Sequence, residues 1–367
     1  MSAVVPAAPA GAGGARPSRV RATGPSDFTA LAARIQGTGL MRRRYGYYWA
    51  KLTLSPLVLA AAAVVFVIIG DTWWQLATAA GFALIFTQIA FLGHDAAHRQ
   101  IFVSGKWNDW TSLIIADLLV GLSYGWWRHK HTRHHANPNK EGSDPDIDLP
   151  VISFTPEQAE RRRNPISGWL ISHQGVFFFP ILLLEGVSLH LSSIARVVRR
   201  EHVDRRWVEI VFLTIRIGGF IALVFLVLSP GIAAAFLAVQ LGLFGFYMGA
   251  SFAPNHKGMP LVPATVKLDF LRRQVLTSRN IRGGRFVDTL MGGLNYQIEH
   301  HLFPSMPRPH LKSAAPLVRT YCRRLGIPYT ETGLFASYGI VLRYINRVGL
   351  GERDPFDCPL VAERRSL

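Results

Sequence analysis

Apolar residues run in four long, nearly unbroken stretches, residues 52–70, 75–93, 208–229 and 231–252. Each is close to the about 20 residues that a helix needs to cross a hydrocarbon core. They pair into two hairpins, one closed by Asp71-Thr72-Trp73-Trp74 and the other by Pro230-Gly231. Both turns are short and carry no basic residue, which predicts that they lie on the outer side. Two further apolar runs read differently. Residues 111–125 fall short of a span, contain Asp117, and are flanked at both ends by basic or histidine-rich sequence. Residues 169–191 are long enough to cross but carry His173, Pro180 and Glu185 and sit between arginine clusters. A single crossing there would put one cluster outside, so both runs are expected to be interfacial or re-entrant.

The arginines sharpen this topology. Arg42-Arg43-Arg44, Arg161-Arg162-Arg163, and Arg199-Arg200 with Arg205-Arg206 stand between apolar runs, at the ends opposite the two turns. That distribution is the one expected of cytoplasmic loops, and it accounts for the formal charge of +17 without invoking nucleic acid. Of 367 residues, 49% are hydrophobic and 17% charged, so one membrane-embedded unit is expected rather than several soluble domains. Residues 1–25 are Ala, Gly, Pro and Arg without periodicity and read as a disordered tail; 26–345 form the membrane domain and 346–367 a C-terminal tail. The expected fold is thus an all-α integral membrane protein, with four transmembrane helices in two hairpins, interfacial helices and a cytoplasmic histidine-rich cap. The two cysteines, Cys322 and Cys358, supply neither a disulfide framework nor a cysteine-ligated metal site.

The histidines carry the candidate chemistry. Of 13, eight fall into four short groups that the topology brings to one membrane face. "GHDAAH" sets His94 and His98 four apart, on one helix face. "HTRHH" sets His131, His134 and His135 at i, i+3 and i+4, and "QIEHH" repeats that spacing with Gln297, His300 and His301. Adjacent helical residues point about 100° apart, so each histidine of a neighbouring pair can serve a different metal. His256 follows the fourth span in "PNHKGMP". His173, His190, His202 and His310 read as ordinary surface or hydrogen-bonded residues, and His129 competes with His131 for a place in its box. Eight imidazoles exceed what one ion takes, which points to a two-metal centre. The spacing of "HDAAH" leaves a zinc hydrolase open, but the ligand number disfavours it. Two irons that reduce dioxygen fit better beside lipid, where the accessible substrate is a hydrocarbon chain. A transporter would carry ionisable residues along spans that are nearly free of them, Arg216 being an exception.

The three boxes, in this order and separated by paired spans, resemble the membrane fatty-acyl desaturase family over about residues 45–320. "WWRHKHTRHHANPN", "DPDID", "NHKGMP" and "GGLNYQIEHHLFPSMPR" are similar to its acyl-CoA and front-end branch, especially actinobacterial acyl-CoA desaturases of the stearoyl- and linoleoyl-CoA kind. The resemblance implies an oxidoreductase that inserts a cis double bond into a long-chain acyl-CoA or acyl-lipid, using O2 and two electrons. It implies iron ligation by His94, His98, His131, His134, His135, His256, His300 and His301. Gln297 replaces the first histidine of the third box, as in front-end members. Gln297, Asp95 and Asn295 are the further site candidates, with Asp144, Asp146 and Glu299 as acceptors for ligand ring N–H groups. The expected bond is at the 9-position of an acyl-CoA, with a 6-position, front-end or acyl-lipid enzyme, or a di-iron lipid hydroxylase, as alternatives. The fused haem domain of many relatives, with its His-Pro-Gly-Gly motif, has no counterpart, so electrons are expected from NAD(P)H through a separate ferredoxin or flavin/iron–sulfur reductase. A basic surface including Arg272, Arg273, Arg279, Arg282 and Arg285 is expected to attract an acidic donor or the phosphates of coenzyme A. The expected location is the inner cell membrane, with the boxes facing the cytoplasm.

Overall fold

The computed structural model describes residues 26–164, 167–199 and 203–351. The expected tail at 1–25, His202 and Cys358 lie outside them. The described chain is mostly helical, with two three-residue strands, and forms a multi-pass membrane protein. After α1 (Asp27–Gly37), the first hairpin is α2 (Tyr45–Ile69) and α3 (Gln75–Ala97). A short helix α4 (Gly105–Leu113) runs on as a π-helix (Ile114–Val120), and α5 (Tyr124–Ala136) follows. Next come α6 (Pro156–Arg162), α7 (Ser167–Ser172) and α8 (Gln174–Val198). The second hairpin opens with α9 (Arg206–Leu213), a π-helical turn (Thr214–Gly218) and α10 (Gly219–Val227), continuous as one span, and closes with α11 (Pro230–His256). The C-terminal part holds α12 (Phe270–Leu276), β1 (Asn280–Arg282), α13 (Gly284–Leu290), α14 (Gln297–Leu302), α15 (Arg308–Arg324), β2 (Glu331–Gly333) and α16 (Leu334–Leu350).

Both hairpin turns lie at one end of the molecule. Asp71 Oδ1 accepts from the Ser229 amide (2.8 Å) and hydroxyl (3.0 Å), tying the turns together. Gln75 closes the first turn by donating to the carbonyls of Phe66 and Gly70. Between the four spans an aromatic cluster forms, in which Phe66, Phe82, Phe86, Phe220 and Phe236 meet mostly edge to face. Away from it, α2 leaves Leu57, Val64 and Ile68 exposed, the surface a span presents to lipid.

Five described helices, rather than four, are long and apolar enough to cross a membrane; the additional one is α8. Its ends, however, are both tied to the histidine end of the molecule. At its start Gln174 donates to the carbonyls of Ser153 and Ile345, and near its finish the Val197 carbonyl accepts from Arg206, where the third span begins. At its middle, α8 presses backbone to backbone on α11: a Cβ on Gly186 would lie 2.2 Å from the Leu241 oxygen, and one on Gly245 2.1 Å from the Gly186 nitrogen. Both ends of α8 thus meet elements of the histidine end, while its length and apolarity suit a crossing where the sequence leads to an interfacial or re-entrant run. The run around Asp117 turns back. It docks on α3 through Ser112, whose hydroxyl donates to the Gly93 carbonyl, and ends at Gly121 in the left-handed region (φ 96°). The chain then returns so far that the Tyr124 hydroxyl donates to Asp109.

The C-terminal boundary differs from expectation. Helix α16 continues past residue 345 to Leu350, because Ile345 and Val348 are buried and Gly349 packs on the Ile171 carbonyl, where a Cβ would lie 2.0 Å away.

Candidate metal centre

The histidine end gathers four chain segments: the end of α3, α5, the end of α11, and the cap built on α12 and α14. Helix α5 starts where Ser123 accepts from the Trp126 amide and carries His131, His134 and His135 in its last two turns. Helix α14 is short and buried throughout, and its entry is fixed by Asn280, which accepts from the Ile298 amide and donates to Glu299. Burial raises Glu299 to about 7, against the hydrogen bonds that Asn280 and Tyr329 donate to it.

The side chains form two groups. His94, His98, His131 and His300 each offer a ring nitrogen within 4.8 Å of the others, and so do His134, His256 and His301. His135 stands between the groups, its Nε2 3.0 Å from His131 Nε2 and its ring stacked on His301 with centroids 4.1 Å apart. The neighbouring pair His300-His301 is split, one ring to each group, as helical geometry requires.

In the second group the outer nitrogens are all held. Asp144 accepts from His134 Nδ1 (3.0 Å), the Thr277 carbonyl from His256 Nδ1 (3.0 Å), and Gln274 Oε1 from His301 Nδ1 (3.0 Å). Asp144 is itself fixed by the amides of Asn139 and Asp146, and Gln274 donates in turn to the His135 carbonyl. Each ring therefore turns Nε2 inward, in the arrangement that outer partners impose on metal-binding histidines. In the first group Trp127 stacks on His131 with centroids 4.2 Å apart.

The donor set fits a pair of transition metals. His94 Nε2, His98 Nε2, His300 Nε2 and His301 Nε2 are buried and have no hydrogen-bond partner in the protein, a costly state unless a ligand engages them. Burial and neighbouring imidazoles hold His98, His131, His135, His300 and His301 well below the usual imidazole value, so they stay neutral, as ligation requires. Burial also works against a charge on His134, but Asp144 and Asp146 hold it above that value.

The structure brings some of the other candidates to the histidines and leaves others apart. The Gln297 carboxamide lies 2.9 Å from His256 Nε2, on the metal-facing side. Asp95 lies 3.8 Å from His94 Nδ1 and 2.7 Å from the Arg308 guanidinium. Asn295 is not brought to the histidines; its amide donates to the Ile281 carbonyl and to Asp288, because the chain ahead of α14 faces β1 and α13. Glu299 also points away, toward Asn280 and Tyr329. His129 is exposed, leaving the box to His131. His173, His190 and His310 bond the carbonyls of Trp169, Gly186 and Leu40. Two members of the expected basic surface are engaged within the protein: Arg272 pairs with Asp27 and Asp269, and buried Arg279 donates to the Pro254 and Lys257 carbonyls at the end of α11. Gln274, Asn139, Trp127 and the Thr277 carbonyl were not foreseen, since nothing local in the sequence marks them.

Gln297→Ala is expected to lower activity about 10-fold, the lower end of losses from residues that support metal ligands, and to weaken iron binding in parallel. Gln297→His is expected to keep iron, imidazole being a good donor at that position. Elemental analysis with turnover assays checks both, and full activity with full iron in Gln297→Ala would remove Gln297 from the site.

A family model for fatty acid desaturases matches residues 71–333. Curated relatives extend the match over most of the chain. A Delta(8)-fatty-acid desaturase of Helianthus annuus is 26% identical over 340 residues, covering 89% of this chain and 74% of the relative. An acyl-lipid (9-3)-desaturase of Physcomitrium patens is 29% identical over 330 residues, 88% of this chain and 62% of the relative. A Delta(6)-fatty-acid desaturase of Caenorhabditis elegans is 29% identical over 334 residues, 88% and 74%. The chain belongs to the fatty acid desaturase family.

Proposed function

We propose that this member of the fatty acid desaturase family is a front-end desaturase that introduces a cis double bond into a lipid-linked acyl chain at a histidine-ligated di-iron centre. The observation that carries the reading is the convergence of the two imidazole groups with buried Nε2 atoms lacking protein partners. The position and carrier differ from those expected first. The relatives' names give Delta(8), Delta(6) and acyl-lipid enzymes rather than a 9-position acyl-CoA enzyme, and Gln297 at the head of the third box agrees with the front-end alternative.

Two irons held here would supply the oxidising power that an unactivated C–H pair demands, with O2 as oxidant and two electrons from NAD(P)H through a separate ferredoxin or reductase. Per turnover the acyl chain loses two hydrogens, and O2 with two electrons and two protons leaves as two waters. The chain's own residues hold the centre in shape. His94, His98, His131 and His300 would hold one ion and His134, His256 and His301 the other, with His135 placed to serve either. Asp144, Gln274 and the Thr277 carbonyl keep the ring protons on Nδ1 and Nε2 directed inward. Phe252 and Trp127 flank His94 and contribute apolar walls that keep water away. The arginine clusters favour a histidine end facing the cytoplasm at the inner cell membrane.

The test is lipid analysis of a host that expresses the chain with a compatible reductase. Products two mass units lighter, with the bond between the carboxyl end and any existing double bond and enriched in phospholipid before the CoA pool, are expected. A gain of one oxygen would make the protein a hydroxylase. First appearance in acyl-CoA at the 9-position would overturn the carrier and the position together.

A further inference from the structure

Beyond Arg206 at its start, the third span carries two ionisable residues that the metal site does not use. Glu209, 2% exposed, accepts from the Ser123 hydroxyl (2.5 Å) through Oε2 and from the Gly125 amide (3.0 Å) through Oε1. Two turns further on, Arg216 donates from Nε to the Leu119 carbonyl (2.8 Å), its guanidinium lying 4.2 Å from the Phe86 ring centroid and 4.4 Å from that of Phe220. Both reach the same short stretch of chain, where the helix through Asp117 ends at Gly121 and α5 begins at Tyr124. One span thus gives a cation to the carbonyl end of the incoming helix and a carboxyl acceptor to the amide end of the outgoing one, which answers the free groups at each helix end. Asp117 adds a third hold by accepting from the Tyr124 amide (3.1 Å). Arg216 lies in the π-helical turn Thr214–Gly218, a local irregularity of the kind often found at functional positions. Ionisable side chains are costly in a membrane span, so two of them directed at one turn call for a role.

Side-chain contacts also reach α5 at Tyr124, whose hydroxyl donates to Asp109, at Arg128, paired with Asp204, and at Lys130, paired with Asp146, while toward its other end His134 meets Asp144, the His135 carbonyl Gln274 and Asn137 Arg273. Glu209 and Asp117 hold the Gly125 and Tyr124 amides of its first turn, and Arg216 holds the carbonyl end of the helix before it, so these contacts act on the backbone that sets the entry of α5. We propose that Glu209 and Arg216 are positioning residues for the metal centre, which fix the start of α5 and so the direction in which His131, His134 and His135 enter the two groups. The inference rests on the reading of those groups as iron sites.

The test uses the full chain in detergent or nanodiscs, with iron per chain, iron affinity and the Mössbauer spectrum of the iron-57-loaded protein as readouts. Glu209→Ala and Arg216→Met are expected to weaken iron binding at least about 10-fold, the scale of losses behind metal ligands, and to change the spectrum. Glu209→Gln and Arg216→Lys, which keep an acceptor and a donor in place, are expected to restore most of it. Gly125→Ala is a milder arm, because its Cβ would meet Glu209 Oε1 at 2.8 Å and Val203 Cγ1 at 2.8 Å and so shift the start of α5. Wild-type affinity and spectrum in Glu209→Ala or Arg216→Met would overturn the proposal. If those two variants do not fold, wild-type values in Gly125→Ala would overturn it instead. A wild-type chain that takes up no iron would sink the metal-site reading itself, and this inference with it.

Discussion

His300→Ala and His134→Ala are each expected to abolish turnover, with losses beyond the about 100-fold upper end for residues behind the ligands, and to bring the bound iron from two per chain toward one. The two substitutions strike different groups. His300 completes the set with His94, His98 and His131, whereas His134 completes the set with His256 and His301. Loss of either leaves one group intact, so iron content should fall by one ion rather than to zero. Neither change touches a packing contact between spans. The backbone of α14 stays anchored through Asn280, and α5 stays anchored through Ser123 and Glu209. Membrane insertion and monodispersity should therefore persist. Elemental analysis alongside turnover decides it: an alanine variant that keeps two irons and its activity would strike that residue from the ligand set.

Those residues could be found from sequence because their signal is local. Box spacing depends only on helical periodicity, and the spans depend only on the length of apolar runs, so both were legible; the first and last residues of the spans shifted by a few positions, as at Tyr45, where α2 starts earlier than its most apolar stretch. How the boxes divide was less legible. That His131 joins His94, His98 and His300 while His134 joins His256 and His301 depends on how α5 sits against α11 and the cap, which no spacing encodes. The same holds for the outer acceptors. Asp144 could be named because aspartate beside a histidine box is conspicuous, but Gln274 and the Thr277 carbonyl reach the centre only because α12 folds back over it. Asn295 shows the converse. A polar residue two positions before Gln297 looked like part of the site, yet the turn ahead of α14 aims it at Asp288. Arginine counts are limited for a related reason, since composition does not distinguish exposed Arg285 from Arg279, which is buried under the end of α11.

Arg308 depends on a buried counter-ion. It enters from the start of α15, 12% of its side chain exposed, and meets Asp95, 3% exposed, at 2.7 Å. It also donates to the Phe91 carbonyl (2.5 Å), while its own backbone amide donates to the Tyr48 hydroxyl and to Gln100. The Asp95 contact is close but not aligned as a hydrogen bond, since Asp95 Oδ2 has no directed donor, so attraction between charges in a buried setting carries it. Burial works against the charge on Arg308, and Asp95 is the first of the groups that hold its ionisation above the ordinary value. Asp95→Ala would leave that guanidinium buried without a counter-ion, at a cost of about 3–5 kcal/mol, because removing one member of a buried pair exposes the full desolvation penalty of the other. Arg308→Met should cost a similar amount, by stranding the carboxylate. The double variant Asp95→Ala/Arg308→Met removes both charges and should be less destabilised than the sum of the two, with a coupling of about 0.5–3 kcal/mol. Denaturant unfolding of the detergent-solubilised wild type and three variants measures the cycle. If Asp95→Ala unfolds within about 1 kcal/mol of wild type, the level of an exposed pair, then the pair does not hold the cap against α3, and the placement of His300 opposite His94 must come from the packing around α14 instead.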